Sequence, residues 1–148
     1  MNTNNNEKYL ISIVGATAIG KTALSIKLAQ HYNSEIISCD SRQFFKEMTI
    51  GTAVPDDDEL AAAKHHFIQN KSILEEYNVG SFERDAIKTI DKLFISNDIV
   101  IMVGGSGMYV NAIVNGLDEF PDVDKSIREE LTERLANKGI EDLQEQLK

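Results

Sequence analysis

The chain has 148 residues, of which 42% are hydrophobic and 26% charged, and its formal net charge at pH 7 is −9. This length predicts one domain with a substantial core, and the negative charge argues against a general nucleic-acid-binding surface, so any such contact must be a local basic patch. The lone Cys39 excludes an internal disulfide, and the lack of a signal-peptide pattern or a membrane-spanning apolar run predicts a cytoplasmic protein with no membrane partner.

A phosphate-binding loop lies between the first predicted strand, at residues 9–14, and the first predicted helix, at residues 23–29. The loop has the G-x4-G-K-T spacing and consists of Gly15, Ala16, Thr17, Ala18, Ile19, Gly20, Lys21 and Thr22. Its N–H groups and the start of the helix form a nest for phosphate oxygens. Lys21 adds a cation, and the Thr22 hydroxyl can ligate a Mg2+ that the phosphates share. The spacing predicts a polyphosphate site without distinguishing a nucleotide from a diphosphate ester.

Asp40 follows the second predicted strand, a short buried run at residues 35–39. Ligands of doubly wound sheets bind at the carboxyl ends of the strands, so we expect this carboxylate beside the phosphate loop. Asp40 could equally cap a short helix suggested by residues 41–46. Position alone leaves both interpretations open.

Two clusters of polar residues in the next stretch argue against a metal centre. The acidic run at residues 56–59 is typical of a solvated loop or a helix start. His65 and His66 look like part of a short strand, on which neighbouring side chains point to opposite faces. This pattern predicts one packed and one exposed histidine, and no zinc site.

The next predicted helix covers residues 81–96, with Ser81 as its N-cap. Its apolar stripe consists of Ala86, Ile87, Ile90, Leu93 and Phe94.

A continuous apolar strand is predicted at residues 98–103, as expected where helices cover both faces of a sheet. Asp98 begins this strand at the edge away from the site and is not expected to be catalytic. Gly104 and Gly105 follow at the active edge, where they allow close approach of a ligand or of the phosphate loop, or form a tight turn. The helix after them is predicted to end near Gly116.

After Pro121 the sequence becomes polar, with a helical pattern. A polar helix is predicted from Asp124 to a stop at Gly139, followed by a second short helical segment. Their thin apolar stripes consist of Ile127, Leu131, Leu135, Ile140, Leu143 and Leu147. Because the pattern stops midway at Lys148, we expect the sequence to be a piece of a longer chain.

Five motifs occur in one order within residues 9–135. They are residues 15–22, 40–43, 51–55, 65–66 and 103–109, which are similar to GPTAxGKT, DSxQ, GTAKP, a histidine pair and VGGTGLY. In this order they resemble the tRNA dimethylallyltransferases, which also have an arginine where this chain has Arg128. Ala16, Val54 and Ser106 replace the usual proline, lysine and threonine.

The resemblance implies an α/β fold, a P-loop NTPase-like three-layer sandwich with a mainly parallel sheet. Residues 1–120 would form the first part of the catalytic core, and residues 121–148 would begin a helical insertion. The remainder of the family's chain would be absent. The resemblance also implies a monomer.

The activity that the resemblance implies is transfer of a dimethylallyl group from dimethylallyl diphosphate to N6 of an adenosine in a tRNA anticodon loop. Asp40 would accept the amine proton, while Lys21 and Thr22, the latter through Mg2+, would stabilise the leaving diphosphate. The residues expected to bind tRNA are Asp40, Ser41, Arg42, Gln43, Ser106 and Arg128.

Three other functions remain open at this point. A small-molecule kinase would hold ATP in the same loop and use Asp40 to activate a hydroxyl. An adenylate prenyltransferase would share the chemistry but take a free nucleotide. A non-catalytic module would bind a polyphosphate and turn nothing over.

Overall fold

The computed structural model describes residues 7–118 and 123–147, so the predicted boundary at Pro121 and the chain end at Lys148 lie outside the described residues. The chain divides into two compact units, Met1–Leu117 and Asp118–Lys148. Within the described ranges, no helix is both long and apolar enough to span a membrane.

A parallel sheet forms the centre of the first unit. Its described strands are β1 (Tyr9–Val14), β2 (Ile36–Ser38), β3 (His65–His66) and β4 (Ile99–Gly104), in the order β1-β4-β2-β3. The strand β4 lies between β1 and β2 and pairs with both in parallel. The predicted α/β class with a mainly parallel sheet is confirmed.

Helices cover both faces of this sheet. They are α1 (Lys21–Tyr32), α2 (Asp57–Ala62), α3 (Val79–Ser96) and α4 (Gly107–Asn115). Ile101 and Val103 of β4 pack with Ile26 of α1 in one core, whereas Val100 and Met102 join a second core with residues of α3. The continuous apolar run of β4 follows from this double burial.

The prediction of a short helix at residues 41–46 is wrong, because this segment forms turns. Phe45 forms an isolated parallel bridge with Lys71. The Lys46 N–H donates to the Lys71 carbonyl at 2.9 Å, and the Lys71 N–H donates to the Phe44 carbonyl at 2.9 Å. A partner distant in sequence therefore takes hydrogen bonds that a local helix would have used.

Two details of α3 differ from the prediction. The helix begins at Val79, and its N-cap is Asn78, whose side chain accepts a hydrogen bond from the Ser81 N–H at 2.9 Å. Ile87 is 40% exposed, whereas Phe82 is fully buried. The buried stripe therefore starts one turn earlier than the apolar pattern indicated.

The polar clusters before α3 have structural roles. Asp56 caps α2 in a reciprocal capping box with Glu59, so the acidic run is a helix start, which is one of the two structures predicted for it. The expectation of one packed and one exposed histidine is wrong, since His65 and His66 are both half-buried. His66 is held there by a hydrogen bond between its Nε2 atom and a Glu35 carboxylate oxygen.

The second unit contains two helices in its described part, α5 (Lys125–Lys138) and α6 (Ile140–Gln146). Asp124 caps α5 by accepting a hydrogen bond from the Ser126 N–H at 2.9 Å. Gly139 ends α5 with φ 80°, a conformation that favours glycine, as the sequence predicts. The Arg134 guanidinium pairs with Asp142 at 2.6 Å and so ties the two helices together.

Candidate functional site

Three loops meet at the carboxyl edge of the sheet in the first unit. The phosphate loop leaves β1, the turn that carries Asp40 follows β2, and Gly105 follows β4. The phosphate loop, the turn that carries Asp40 and the end of β4, with Val103 and Gly104, border a cavity of about 310 Å³. Its polar lining includes Lys21, Thr22, Ser38, Asp40, Gln43, Glu59 and His65. Parallel strands bring these side chains together although they are up to 44 positions apart in the sequence.

The phosphate loop is exposed and bent as its glycines require. Gly20 has φ 91° at the N-terminus of α1, and a side chain at Gly15 would come 2.8 Å from the Ile19 Cδ1 atom. Ala18 also has a left-handed conformation, with φ 65°. The Lys21 Nζ atom donates to the Ala16 carbonyl at 2.6 Å, so the ammonium group folds back over the loop. This arrangement suits an anion that would replace the carbonyl as the partner of Lys21.

Asp40 lines the cavity, as one of the two interpretations left open by the sequence expects, and the other interpretation, a cap of a helix at residues 41–46, is wrong because that segment forms turns. Its Oδ1 atom accepts a hydrogen bond from the Arg42 N–H at 3.1 Å. Its Oδ2 atom and the Gly15 carbonyl oxygen each lie 3.8 Å from the position that a Gly105 Cβ would take. The carboxylate therefore faces the same small gap as the phosphate loop.

Strand β4 approaches the end of β2 closely at Gly104, next to Asp40 and Gly105. A Cβ on Gly104 would lie 2.5 Å from the Cys39 Sγ atom and 2.6 Å from the Cys39 carbonyl carbon. The Cys39 N–H donates to the Val103 carbonyl at 2.8 Å. Burial raises the pKa of the Cys39 thiol to about 12, so this thiol stays neutral and unreactive.

Two of the expected tRNA-binding residues join neighbouring loops. The Ser41 N–H donates to the Ser106 Oγ atom at 3.0 Å, and the Ser106 hydroxyl donates to the Ser41 Oγ atom at 3.2 Å. Arg42 is exposed beside them. The structure thus gathers a hydroxyl pair and a guanidinium next to Asp40.

Gln43 braces the loop at residues 51–55. Its amide nitrogen donates to the carbonyls of Thr52 at 3.2 Å and Ala53 at 2.7 Å. Its amide oxygen accepts from the Ser38 hydroxyl at 3.1 Å. The side chain expected to contact the adenine therefore already positions one wall of the cavity, and its contact with a base stays a prediction.

Arg128 belongs to the other unit. It lies on α5, where it is exposed and its carbonyl accepts a hydrogen bond from the Thr132 hydroxyl at 2.7 Å. Its proposed contact with tRNA stays a prediction.

The sequence interpretation missed two contributors to the site. Phe44 is fully buried directly behind Gln43 and stacks on Phe82, with 5.0 Å between ring centroids. His65 lines the cavity from β3, the strand that pairs with β2. The position of Phe44 next to the DSxQ-like stretch is a signal in the sequence for its role. The position of His65 follows only from the pairing of β3 with β2.

The cavity offers oxygen ligands that suit Mg2+. Thr22 lines it, and its hydroxyl is of the oxygen type that Mg2+ prefers, as are phosphate oxygens. Within residues 7–118 and 123–147, no group of three or more His, Cys, Asp or Glu side chains could hold a metal by itself. A magnesium ion would therefore depend on phosphate oxygens for part of its shell, as Mg2+ sites with one or two protein ligands do.

Comparisons with known proteins find similar sequences over nearly the whole chain. The family model described as IPP transferase matches residues 43–148. The tRNA dimethylallyltransferases of Flavobacterium johnsoniae and Christiangramia forsetii are 65% and 61% identical to this chain over 95% and 94% of its length. The chain spans 46% of the length of each of these relatives.

Solved structures give the same result at the level of the fold. The tRNA isopentenylpyrophosphate transferase of Bacillus halodurans is 34% identical with a TM-score of 0.73, over 95% of this chain and 47% of that protein. A eukaryotic dimethylallyltransferase acting on tRNA is 29% identical with a TM-score of 0.70, over 81% of this chain and 31% of that protein. The fold is the P-loop NTPase-like α/β architecture that the sequence predicts.

Proposed function

This chain belongs to the IPP transferase family, and on that premise we propose that the protein transfers a dimethylallyl group from dimethylallyl diphosphate to N6 of an adenosine in a tRNA anticodon loop. The observation that carries the proposal is the shared cavity of the phosphate loop and Asp40. Prenyl transfer needs a site for the leaving diphosphate anion and a carboxylate that accepts a proton, and both lie in this cavity. We also propose that the protein is cytoplasmic and acts as a monomer.

The phosphate loop stabilises the leaving group. As the allylic C–O bond breaks, its electron pair goes to the diphosphate, and negative charge grows there. The loop N–H groups, the N-terminus of α1 and the Lys21 ammonium are donors that a growing anion requires. Lys21 exchanges its bond to the Ala16 carbonyl for one to the diphosphate.

A magnesium ion, held by the Thr22 hydroxyl and the phosphates, would neutralise part of the diphosphate charge. Thr22 is half-buried in the first turn of α1, directly after the loop. Protein and phosphate oxygens together supply the ligand type that the ion prefers.

Asp40 accepts the proton. Adenine N6 is a poor nucleophile because its lone pair is delocalised into the ring, so attack on the allylic carbon needs a base for the departing proton. The C–N bond forms, and the N6 proton moves to the Asp40 carboxylate. The Arg42 N–H holds Oδ1 at 3.1 Å, which orients the carboxylate before the substrate arrives. Proton transfer to a positioned base contributes on the order of 10²–10⁴ in rate.

The tRNA contacts are local rather than spread over the acidic surface. Ser106 lies beside the base, Ser41 and Gln43 flank or read the adenine, and the exposed guanidiniums of Arg42 and Arg128 contact the backbone. An adenosine has to leave its stack to reach Asp40, which favours a single-stranded loop as the target.

The test uses a chimera that joins this chain to the remaining part of a curated relative, because the chain spans 46% of such a relative. In the chimera, Asp40→Asn is expected to lower the rate of prenyl transfer to an anticodon stem-loop by about 10²–10⁴. Pyrophosphate affinity should not change, since the loop is intact. Lys21→Ala should abolish pyrophosphate binding.

The matched control is Asp98→Asn, at the opposite edge of the sheet, where the carboxylate pairs with Lys8. This variant should retain full activity. A loss of less than tenfold in Asp40→Asn would rule out Asp40 as the base. Tight Mg-ATP binding without binding of dimethylallyl diphosphate would instead support a kinase.

A further inference from the structure

Among the described residues that line the cavity, His65 has a buried side-chain nitrogen without a hydrogen-bond partner. Its ring lines the cavity from β3, and its Nδ1 atom lies 2.8 Å from the Ala63 carbonyl oxygen. Its Nε2 atom is buried and has no hydrogen-bond partner among the described residues. Leaving a buried polar atom unpaired costs about 1–3 kcal/mol, which a hydrogen bond to Nε2 would recover.

The contact with Ala63 fixes the tautomer of His65. A carbonyl oxygen only accepts hydrogen bonds, so Nδ1 must carry a proton. Burial lowers the pKa of His65, so the free imidazole is neutral and its Nε2 atom carries a lone pair. This nitrogen repels a phosphate oxygen, which is also an acceptor, unless it takes up a proton.

We propose that a diphosphate bound by the phosphate loop recruits His65 in its protonated form, with Nδ1–H on the Ala63 carbonyl and Nε2–H donating to a phosphate oxygen. Binding then takes up one proton from solvent, which ends on Nε2. This inference rests on the proposed function, because it assigns His65 to the same diphosphate site.

The charges around His65 are compatible with this step. Glu59 of α2 lies close enough to favour the protonated ring, whereas His66, its neighbour on β3, opposes it. Lys21 and Asp40 line the same cavity with opposite charges. A diphosphate brings several negative charges, and an opposite charge within hydrogen-bond distance raises the pKa of an imidazole. The bound diphosphate therefore supplies the negative charge that raises the pKa of His65.

The experiment measures proton uptake when the 148-residue chain binds inorganic pyrophosphate with Mg2+. Titration calorimetry at pH 7 in two buffers of different ionisation enthalpy gives the number of protons taken up per ligand. The wild type is expected to take up most of one proton more than His65→Gln. Glutamine keeps an N–H donor without titrating, so this variant should bind with a similar Kd. His65→Phe, which has no donor, should bind about tenfold more weakly.

His31→Gln is the matched control, since His31 is exposed on α1 and its ring contacts Tyr32. It should leave proton uptake at the wild-type value. Pyrophosphate binding with equal uptake in the wild type and His65→Gln would overturn the inference, as would undiminished affinity in His65→Phe. Loss of pyrophosphate binding by the folded wild type would instead contradict the phosphate site of the proposed function, so the two failures are distinguishable.

Discussion

Different interactions stabilise each of the two units of this chain. The first unit encloses a sheet between two apolar cores, with fully buried side chains such as Phe44 and Phe82. Neither described helix of the second unit has a buried residue, and Leu131 is 40% exposed in the middle of α5. Helix α5 relies on its cap at Asp124, and the pair of Arg134 with Asp142 joins it to α6. The first unit is therefore specified by contacts between distant residues, and the second by local ones.

This difference explains why the candidate chemistry lies in the first unit. A catalytic carboxylate has to be held within a fraction of an ångström, and only packed elements provide such rigidity. Phe44 anchors the turn behind Asp40, and Phe82 supports Phe44. Exposed helices such as α5 offer side chains to a partner but do not fix them in place.

The largest expected effect on stability is at Phe82. Its ring contacts Phe44, Phe67 and Tyr109 at centroid distances of 5.0, 5.2 and 5.3 Å. Phe82→Ala should lower the free energy of unfolding by about 3–5 kcal/mol, measured by denaturant titration. Leu131→Ala, the counterpart in the second unit, should change it by only about 0.5 kcal/mol. Equal losses would show that the two units do not differ in packing.

A smaller effect is expected where β4 approaches β2. Gly104→Ala places a methyl group against the Cys39 backbone and should cost about 1–3 kcal/mol, measured by denaturant titration. Gly107→Ala is the control, since a Cβ there meets nothing within 4 Å and the residue begins α4. Alanine at that position should be neutral or slightly stabilising. If Gly104→Ala were as stable as Gly107→Ala, the close approach would not constrain the fold.

The sequence predicted the elements whose signals are local. The apolar run of β4, the polar helix that follows Asp124 and the stop at Gly139 are each encoded within a few residues, and all are present. The phosphate loop and Asp40 could also be placed at one edge, because strand order in parallel sheets follows general rules.

The missed features depend on pairing between distant segments. Residues 41–46 carry a helical pattern, yet Lys71 pairs with this segment and prevents a helix. The partial burial of both histidines depends on β3 joining the sheet beside β2. No periodicity within the segment encodes either contact, and for this reason the role of His65 in the cavity was missed.

A pH effect should also separate the two units, because all three histidines lie in the first unit. Burial lowers the pKa of His65 below its ordinary value of 6.5, so the unfolded chain takes up a proton at a higher pH than the folded chain. The stability that this group contributes is therefore complete above pH 6.5 and declines as the pH falls towards the folded-state value. Denaturant titration without ligand should show this decline, and His65→Gln should reduce it. An unchanged slope in the variant would exclude His65 as its source.

The smallest expected effect is in the second unit, at Arg134. Its Nε and Nη2 atoms donate to one Asp142 oxygen at 3.0 and 2.6 Å, and its Nη1 atom donates to Gln146 at 2.9 Å. Because the pair is partly exposed, Arg134→Met should cost no more than about 1 kcal/mol. Amide hydrogen exchange should register this loss in α6 while leaving β4 unchanged. Arg128→Met, an exposed change on the same helix, should leave the exchange of α6 at the wild-type rate. Equal exchange in the two variants would mean that the contacts of Arg134 do not stabilise α6.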